Sequence, residues 1–143
     1  NSLVLDNEIN YLGATSTFIL KQNLASHEIK FLETTLSWQA SWKIKKNYQL
    51  KLSLENKNGK IIYEKIYPLA YGLYPTSAWQ LDEKIATTYR FLIPKNLAQE
   101  KLRVWLSLVN LEGSTRLNKI RSVFNYYEKQ NQIGEKILLT DLN

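Results

Sequence analysis

Few residues in this sequence could take part in catalysis or bind a metal. The chain has one histidine and no cysteine, whereas zinc and iron sites usually need several histidine, cysteine or carboxylate ligands. His27 lies in the polar stretch LASHE, which is typical of a surface turn. One histidine still permits a Ser-His-Asp arrangement, but the chain contains no G-x-S-x-G motif. We therefore expect no metal and no activated nucleophile.

Paired carboxylates are the remaining catalytic option, because glycosidases place two acids across the scissile bond. The chain has 13 acidic residues, and most lie at turn positions or on the polar faces of predicted strands. Asp82 and Glu83 are neighbours, so they would point apart on an extended chain. The five glycines stand alone, which gives no phosphate-binding loop. The sequence therefore predicts a protein that is not an enzyme and has no cofactor, with a minimal glycoside hydrolase as a rival.

The stretch YPLAYGLYPTSAWQLDE, residues 67–83, combines aromatic rings, two prolines and two acids. Aromatic rings can stack on the apolar face of a pyranose, while polar neighbours bind its hydroxyl groups. The candidate ligand-binding residues are Tyr71, Tyr74, Trp79, Gln80 and Asp82. The alternative is that this loop inserts its rings into the end of a β-sandwich and is stiffened by Pro68 and Pro75. Both interpretations stay open on the sequence.

Alternation of apolar and polar residues predicts the elements that position this stretch. YQLKLSLEN and KIIYEKIY predict a hairpin, with Asn58-Gly59 in a type I′ turn. The same period predicts strands in INYLGATSTFIL, EIKFLETTLSWQASW, TTYRFLIP, KLRVWLSLVN and KILLTDL. Only residues 116–131 have apolar residues at helical spacing, which allows one short helix or an irregular strand and loop. The fold class predicted is all-β, a single antiparallel β-sandwich of jelly-roll or Ig-like type over residues 1–143.

The charge of the chain limits the classes of partner that it could bind. The net charge is +6, but the lysines alternate with apolar residues, which suits strand edges better than a nucleic-acid interface. Anionic lipid headgroups or anionic glycans remain as partners, with contacts that weaken as salt rises.

No apolar run approaches the roughly 18 residues of a membrane span, and no signal peptide is visible. The chain begins at Asn1 and lacks methionine, so we expect it to be a piece of a longer protein.

The order of several motifs resembles a β-sandwich domain of bacterial membrane proteins. INYLGA, LSWQA, LKLSLENKNGK, PLAYGLYPTSAWQLDE, YRFLIPKNL and KLRVWLSLVNLEG resemble its successive strands and loops over roughly residues 9–113. That domain is carbohydrate-binding-module-like and often lies at the C-terminal end of polytopic glycosyltransferase-like or uncharacterised membrane proteins. This sequence has Leu81-Asp82 where the domain usually has Pro-Gly, and Glu100-Lys101 where it usually has Gly-Tyr.

The resemblance implies an extracytoplasmic location, periplasmic or at the cell surface, attached to a membrane protein. It supplies no ligand-binding residues for this chain. Together with the aromatic stretch it predicts a non-catalytic accessory domain that binds glycan. The alternative is a structural module that packs on other domains of its parent protein and binds no sugar.

Overall fold

The computed structural model describes residues 3–5, 8–24, 27–97, 100–110 and 132–142. Its eight strands are β1 (Leu3–Leu5), β2 (Ile9–Leu24), β3 (His27–Ala40), β4 (Tyr48–Asn56), β5 (Ile61–Pro68), β6 (Lys84–Ile93), β7 (Leu102–Asn110) and β8 (Gln132–Leu142). Short 3-10 turns occur at Leu69–Gly72, Thr76–Ala78 and Lys95–Leu97. The predicted helix or loop at residues 116–131 lies outside the described residues.

The described strands form two four-stranded sheets. Sheet 1 has the order β1-β2-β3-β6, and sheet 2 has the order β5-β4-β7-β8. Every strand pair is antiparallel. The predicted all-β sandwich is therefore confirmed. Because the chain passes from sheet 1 to sheet 2 between β3 and β4, and back between β5 and β6, residues 41–47 and 69–83 meet at one end of the sandwich. We call this end the loop end.

Alternation along the strands places one apolar face of each sheet in the core. β4 contributes Leu50, Leu52 and Leu54, and β7 contributes four residues at the same spacing, all fully or almost fully buried. Sheet 1 contributes Trp38 on β3, whose ring packs against Tyr11 on β2 at a centroid distance of 5.1 Å. The period of two therefore predicts the inward faces of these strands correctly.

The β4–β5 turn differs from the predicted type I′ turn. Gly59 has a φ of +80°, but Asn58 does not share its positive φ, which a type I′ turn requires at both central residues. The Gly59 N–H donates to the Asn56 carbonyl at 3.0 Å, and the Asn56 N–H donates to the Lys60 carbonyl at 2.8 Å. These bonds define a three-residue loop with glycine in the left-handed position. The hairpin is confirmed, and its predicted turn type is wrong.

The polar face of β4 is not a solvent face. The alternation assigns Lys51 and Ser53 to the side away from the core, yet both are only 2% exposed. Glu64 on β5 lies beside them, with its Oε1 3.9 Å from the Lys51 Nζ and 3.4 Å from the Ser53 Oγ. Alternation shows which side chains share a face, and it does not show whether that face is covered.

Two irregularities in β2 decide which of its residues face outward. The register between β2 and β3 shifts between Tyr11 and Gly13 and again between Thr15 and Phe18. Each shift reverses the side to which later side chains point, because a strand has a period of two. The two reversals cancel at Phe18, which pairs with Glu33 on the outer face of sheet 1, the same side as Asn10.

Among the described residues, no helix has the length and apolar character needed to cross a bilayer.

Candidate functional site

The predicted aromatic stretch occupies the loop end, and Trp79 lies inside it. Its side chain is 3% exposed and belongs to the main core. The indole Nε1–H donates to the Tyr74 carbonyl at 3.0 Å. A ring in this position has no open face on which a sugar could stack. The burial of Trp79 therefore agrees with the alternative in which the loop inserts its rings into the end of the sandwich.

Thr76 ties the same stretch to the beginning of β4. Its buried hydroxyl accepts a hydrogen bond from the Tyr48 N–H at 2.9 Å and donates to the Lys46 carbonyl at 2.5 Å. Ser77 adds a hydroxyl contact to the Asn47 Oδ1 at 2.5 Å. These bonds join the two loops of the loop end side by side.

Glu83 organises the final turn of the stretch. Its Oε2 accepts from the Tyr74 hydroxyl at 2.8 Å and from the Gln80 N–H at 2.7 Å. The hydrogen bond to Glu83, with burial and the negative charge of Glu83, raises the pKa of Tyr74. Tyr74 therefore serves the loop as a hydrogen-bond donor to a carboxylate.

Gln80 and Asp82 are exposed at this turn, but their geometry differs from that of a convergent site. The Gln80 Nε2–H donates a hydrogen bond to the Ala78 carbonyl at 3.4 Å. Asp82 has a φ of +62° and is held through its backbone, since its N–H donates to the Ala40 carbonyl at 2.9 Å. Tyr71 belongs to the turn Leu69–Gly72, and its side chain is not among those that the structure describes. The fold thus brings Tyr74, Trp79 and Gln80 together as one internally bonded loop.

The outer face of sheet 1 carries a second arrangement, which lies outside the predicted aromatic stretch. Three cross-strand rows run over β2, β3 and β6. They are Thr15–Thr35–Thr88, Phe18–Glu33–Arg90 and Leu20–Phe31–Leu92. We call this surface the sheet 1 face. Neighbours within a row are about 5 Å apart, and successive rows are roughly 6.6 Å apart.

The central row combines a ring with a fixed charge pair. The Arg90 Nε donates to the Glu33 Oε2 at 2.6 Å, and the Arg90 side chain is 59% exposed. Phe18, the direct neighbour of Glu33, is 43% exposed. In the adjoining row the hydroxyls of Thr35 and Thr88 are 2.7 Å apart. Hydrogen-bond donors and acceptors therefore lie next to an accessible ring on one face of the sheet.

A local signal for part of this surface exists in the sequence. Arg90 and Leu92 alternate with the inward-facing Tyr89, Phe91 and Ile93, which places both on the outer face of β6. No such signal exists for Phe18, because Phe18, Ile19 and Leu20 form a continuous apolar run that does not alternate. The grouping of Phe18, Glu33 and Arg90 depends on strand register, which a local pattern does not give.

Within the part of the chain that the structure describes, no group of three or more His, Asp or Glu side chains could hold a metal ion. No family model matches the chain, and neither a curated protein nor a solved structure shows significant similarity to it. The resemblance to sandwich domains of bacterial membrane proteins therefore stays a prediction.

Proposed function

We propose that this chain is a non-catalytic accessory domain that binds a saccharide on the sheet 1 face. In this proposal it belongs to a larger, membrane-associated bacterial protein and works in an extracytoplasmic compartment, as the resemblance implies. The observation that carries the proposal is the exposed Phe18 ring beside the Glu33–Arg90 pair.

The chemistry of this row suits sugar hydroxyl groups. A carboxylate accepts hydrogen bonds, and a guanidinium donates them in a fixed plane. Neighbouring hydroxyls of a sugar can each donate to Glu33 and accept from Arg90, while a ring face of the sugar lies on Phe18. Charge-assisted bonds of this kind are stronger than neutral ones. A row spacing of roughly 6.6 Å allows a second sugar unit to reach the Thr35–Thr88 row.

The loop end suits this function less well, although the sequence places the candidate ligand-binding residues there. Trp79 is buried, and Tyr74 donates its hydroxyl hydrogen bond within the loop. A sugar on these residues would first have to open contacts that hold the fold together. We therefore assign the loop residues to structure and the sheet 1 face to binding.

The test is a glycan array probed with the labelled domain, followed by titration calorimetry on any saccharide that binds. We expect Phe18→Ala to lower the affinity about tenfold, since an aromatic contact contributes up to roughly 1.5 kcal/mol beyond area burial. Arg90→Gln should weaken binding by a similar factor, because it removes the charge-assisted donor.

Two variants serve as controls. Leu138→Ala removes an exposed apolar side chain from β8, in the other sheet, and should leave the affinity unchanged. Trp79→Phe keeps a ring at the loop end. If Trp79→Phe abolishes binding in a folded protein while Phe18→Ala does not, the sugar site is in the loop. Absence of binding to every glycan would instead favour a structural module that packs on its parent protein.

A further inference from the structure

Three of the most exposed large apolar side chains lie on the two loops of the loop end. Leu73 is 88% exposed, Trp42 is 67% exposed and Leu81 is 61% exposed. Single exposed apolar residues are ordinary on protein surfaces, but a group at one end of a domain indicates a contact surface. We call these three residues the apolar tip.

The backbone holds the apolar tip in place. Trp42 follows Ala40 by two residues, and the Ala40 carbonyl accepts from the N–H of Asp82, the neighbour of Leu81, at 2.9 Å. Leu73 precedes Tyr74, whose carbonyl accepts from the buried Trp79 indole. The three side chains are thus presented by loops that are bonded to each other and to the core. A partner can bind them with little loss of loop entropy.

Exposed lysines lie close to residues of the apolar tip along the chain. Lys43 and Lys45 flank the buried Ile44 directly after Trp42, and Lys84 begins β6 beside Gln39. Acids also occur at this end. Two of them form hydrogen bonds within the protein, Glu8 with the Tyr48 hydroxyl at 2.9 Å and Glu83 with the Tyr74 hydroxyl at 2.8 Å. Asp82 is exposed. Among the described residues, the exposed charge of this end is therefore mainly positive.

We propose that the loop end docks on an anionic lipid bilayer, with Trp42, Leu73 and Leu81 entering the interface and Lys43 and Lys45 contacting the headgroups. Tryptophan is enriched at membrane interfaces because its amphipathic ring fits the headgroup level. Lysines next to inserted apolar residues add attraction to anionic lipid. The net charge of +6 for the chain acts in the same direction. This inference is independent of the saccharide site, which lies on another surface.

Binding of the 143-residue chain to vesicles tests the proposal, with pure phosphatidylcholine compared with a mixture containing one-third phosphatidylglycerol. We expect binding to the anionic vesicles at low salt and weaker binding as salt is raised, since the Debye length falls from about 10 Å at 0.1 M to about 3 Å at 1 M. Trp42→Ala should lower the partition coefficient about tenfold. The double variant Lys43→Gln/Lys45→Gln should lower it about fivefold for each lysine.

The matched control is Lys57→Gln/Lys60→Gln, which removes the same charge from two exposed lysines at the β4–β5 turn, at the opposite end of the sandwich. This control variant should retain most of the binding to anionic vesicles. Tryptophan emission gives a second readout. Trp38 and Trp79 are buried and Trp105 is half-buried, so a blue shift on binding should come from Trp42 and disappear in Trp42→Phe.

Three results would overturn the proposal. The first is absence of binding to anionic vesicles at low salt. The second is an equal loss of binding in the two lysine pairs, which would indicate general attraction by net charge. The third is binding without a change in Trp42 emission, which would place another surface on the membrane. Urea unfolding of each variant shows that the protein stays folded.

Discussion

One hydroxyl group, that of Thr76, joins the two loops of the loop end. Thr76 is fully buried, and its Oγ1 contacts the Tyr48 N–H and the Lys46 carbonyl. Leaving a buried polar group without its hydrogen bond costs about 1–3 kcal/mol. The arrangement explains why the aromatic stretch is fixed, because a single side chain satisfies backbone groups on the other loop.

Replacing Thr76 measures the strength of this link. Thr76→Val keeps the shape of the side chain and removes both hydrogen bonds, so we expect a loss of about 3 kcal/mol in the free energy of unfolding. Thr76→Ser keeps the hydroxyl and removes one buried methyl group, which should cost about 1 kcal/mol. Urea unfolding followed by tryptophan fluorescence measures both values. A Thr76→Val variant as stable as Thr76→Ser would show that the hydroxyl does not hold the loops together.

At the scale of elements, the turn at residues 80–83 carries a local strain. The Glu83 N–H donates to the Gln80 carbonyl at 3.1 Å, and Asp82 has a φ of +62°. A positive φ at the third residue of a four-residue turn is the mark of a type II turn, which favours glycine there and proline before it. The domain that the sequence resembles usually has Pro-Gly at these two positions, where this chain has Leu81-Asp82.

We therefore expect Asp82→Gly to stabilise the protein by about 0.5–1 kcal/mol, because glycine adopts this conformation without a steric penalty. The bonds that Asp82 makes through its N–H and its carbonyl survive the change, since they belong to the backbone. Asp82→Ala is the matched control, because it removes the carboxylate and keeps the Cβ atom. Thermal and urea unfolding compare the two. Equal stability of the glycine and alanine variants would contradict strain at this position.

The strands and turns also show which structural features the sequence predicts and which it does not. Alternation predicts the strands and the inward faces of β4 and β7, because the pattern of each strand is local. It fails for the environment of Lys51, which depends on what covers the other face of the sheet. It does not assign Phe18 to a face, because Phe18, Ile19 and Leu20 form a continuous apolar run. The sequence predicts the hairpin turn in the right place with the wrong geometry, because Asn-Gly suits more than one turn type.

The candidate site shows the same difference between features that depend on local sequence and features that depend on strand pairing. The ring-rich loop stands out in the sequence because its residues are consecutive, and the structure uses Trp79 within it as an anchor. The sheet 1 face is formed by residues from three strands that are far apart in the chain. Only the pairing of Phe18 with Glu33 and of Glu33 with Arg90 brings them together.

At the scale of the whole molecule, the two proposed binding surfaces are well separated. Glu33 lies seven residues before Ala40 on β3, so its row is roughly 23 Å from the loop end along the strand. Docking through the loop end would leave the sheet 1 face upright beside the bilayer and open to solvent. A saccharide and a membrane could then occupy the same molecule at once.

This geometry predicts that the two binding events are independent. The affinity for a saccharide found on the glycan array should be the same for the free and the vesicle-bound protein, because the two surfaces share no residue and neither ligand contacts the other surface. Phe18→Ala should leave vesicle partitioning unchanged, and Trp42→Ala should leave the saccharide affinity unchanged. Competition between saccharide and vesicles would contradict this, since it would place both ligands on one surface. Cosedimentation with anionic vesicles, with and without saturating saccharide, distinguishes these outcomes.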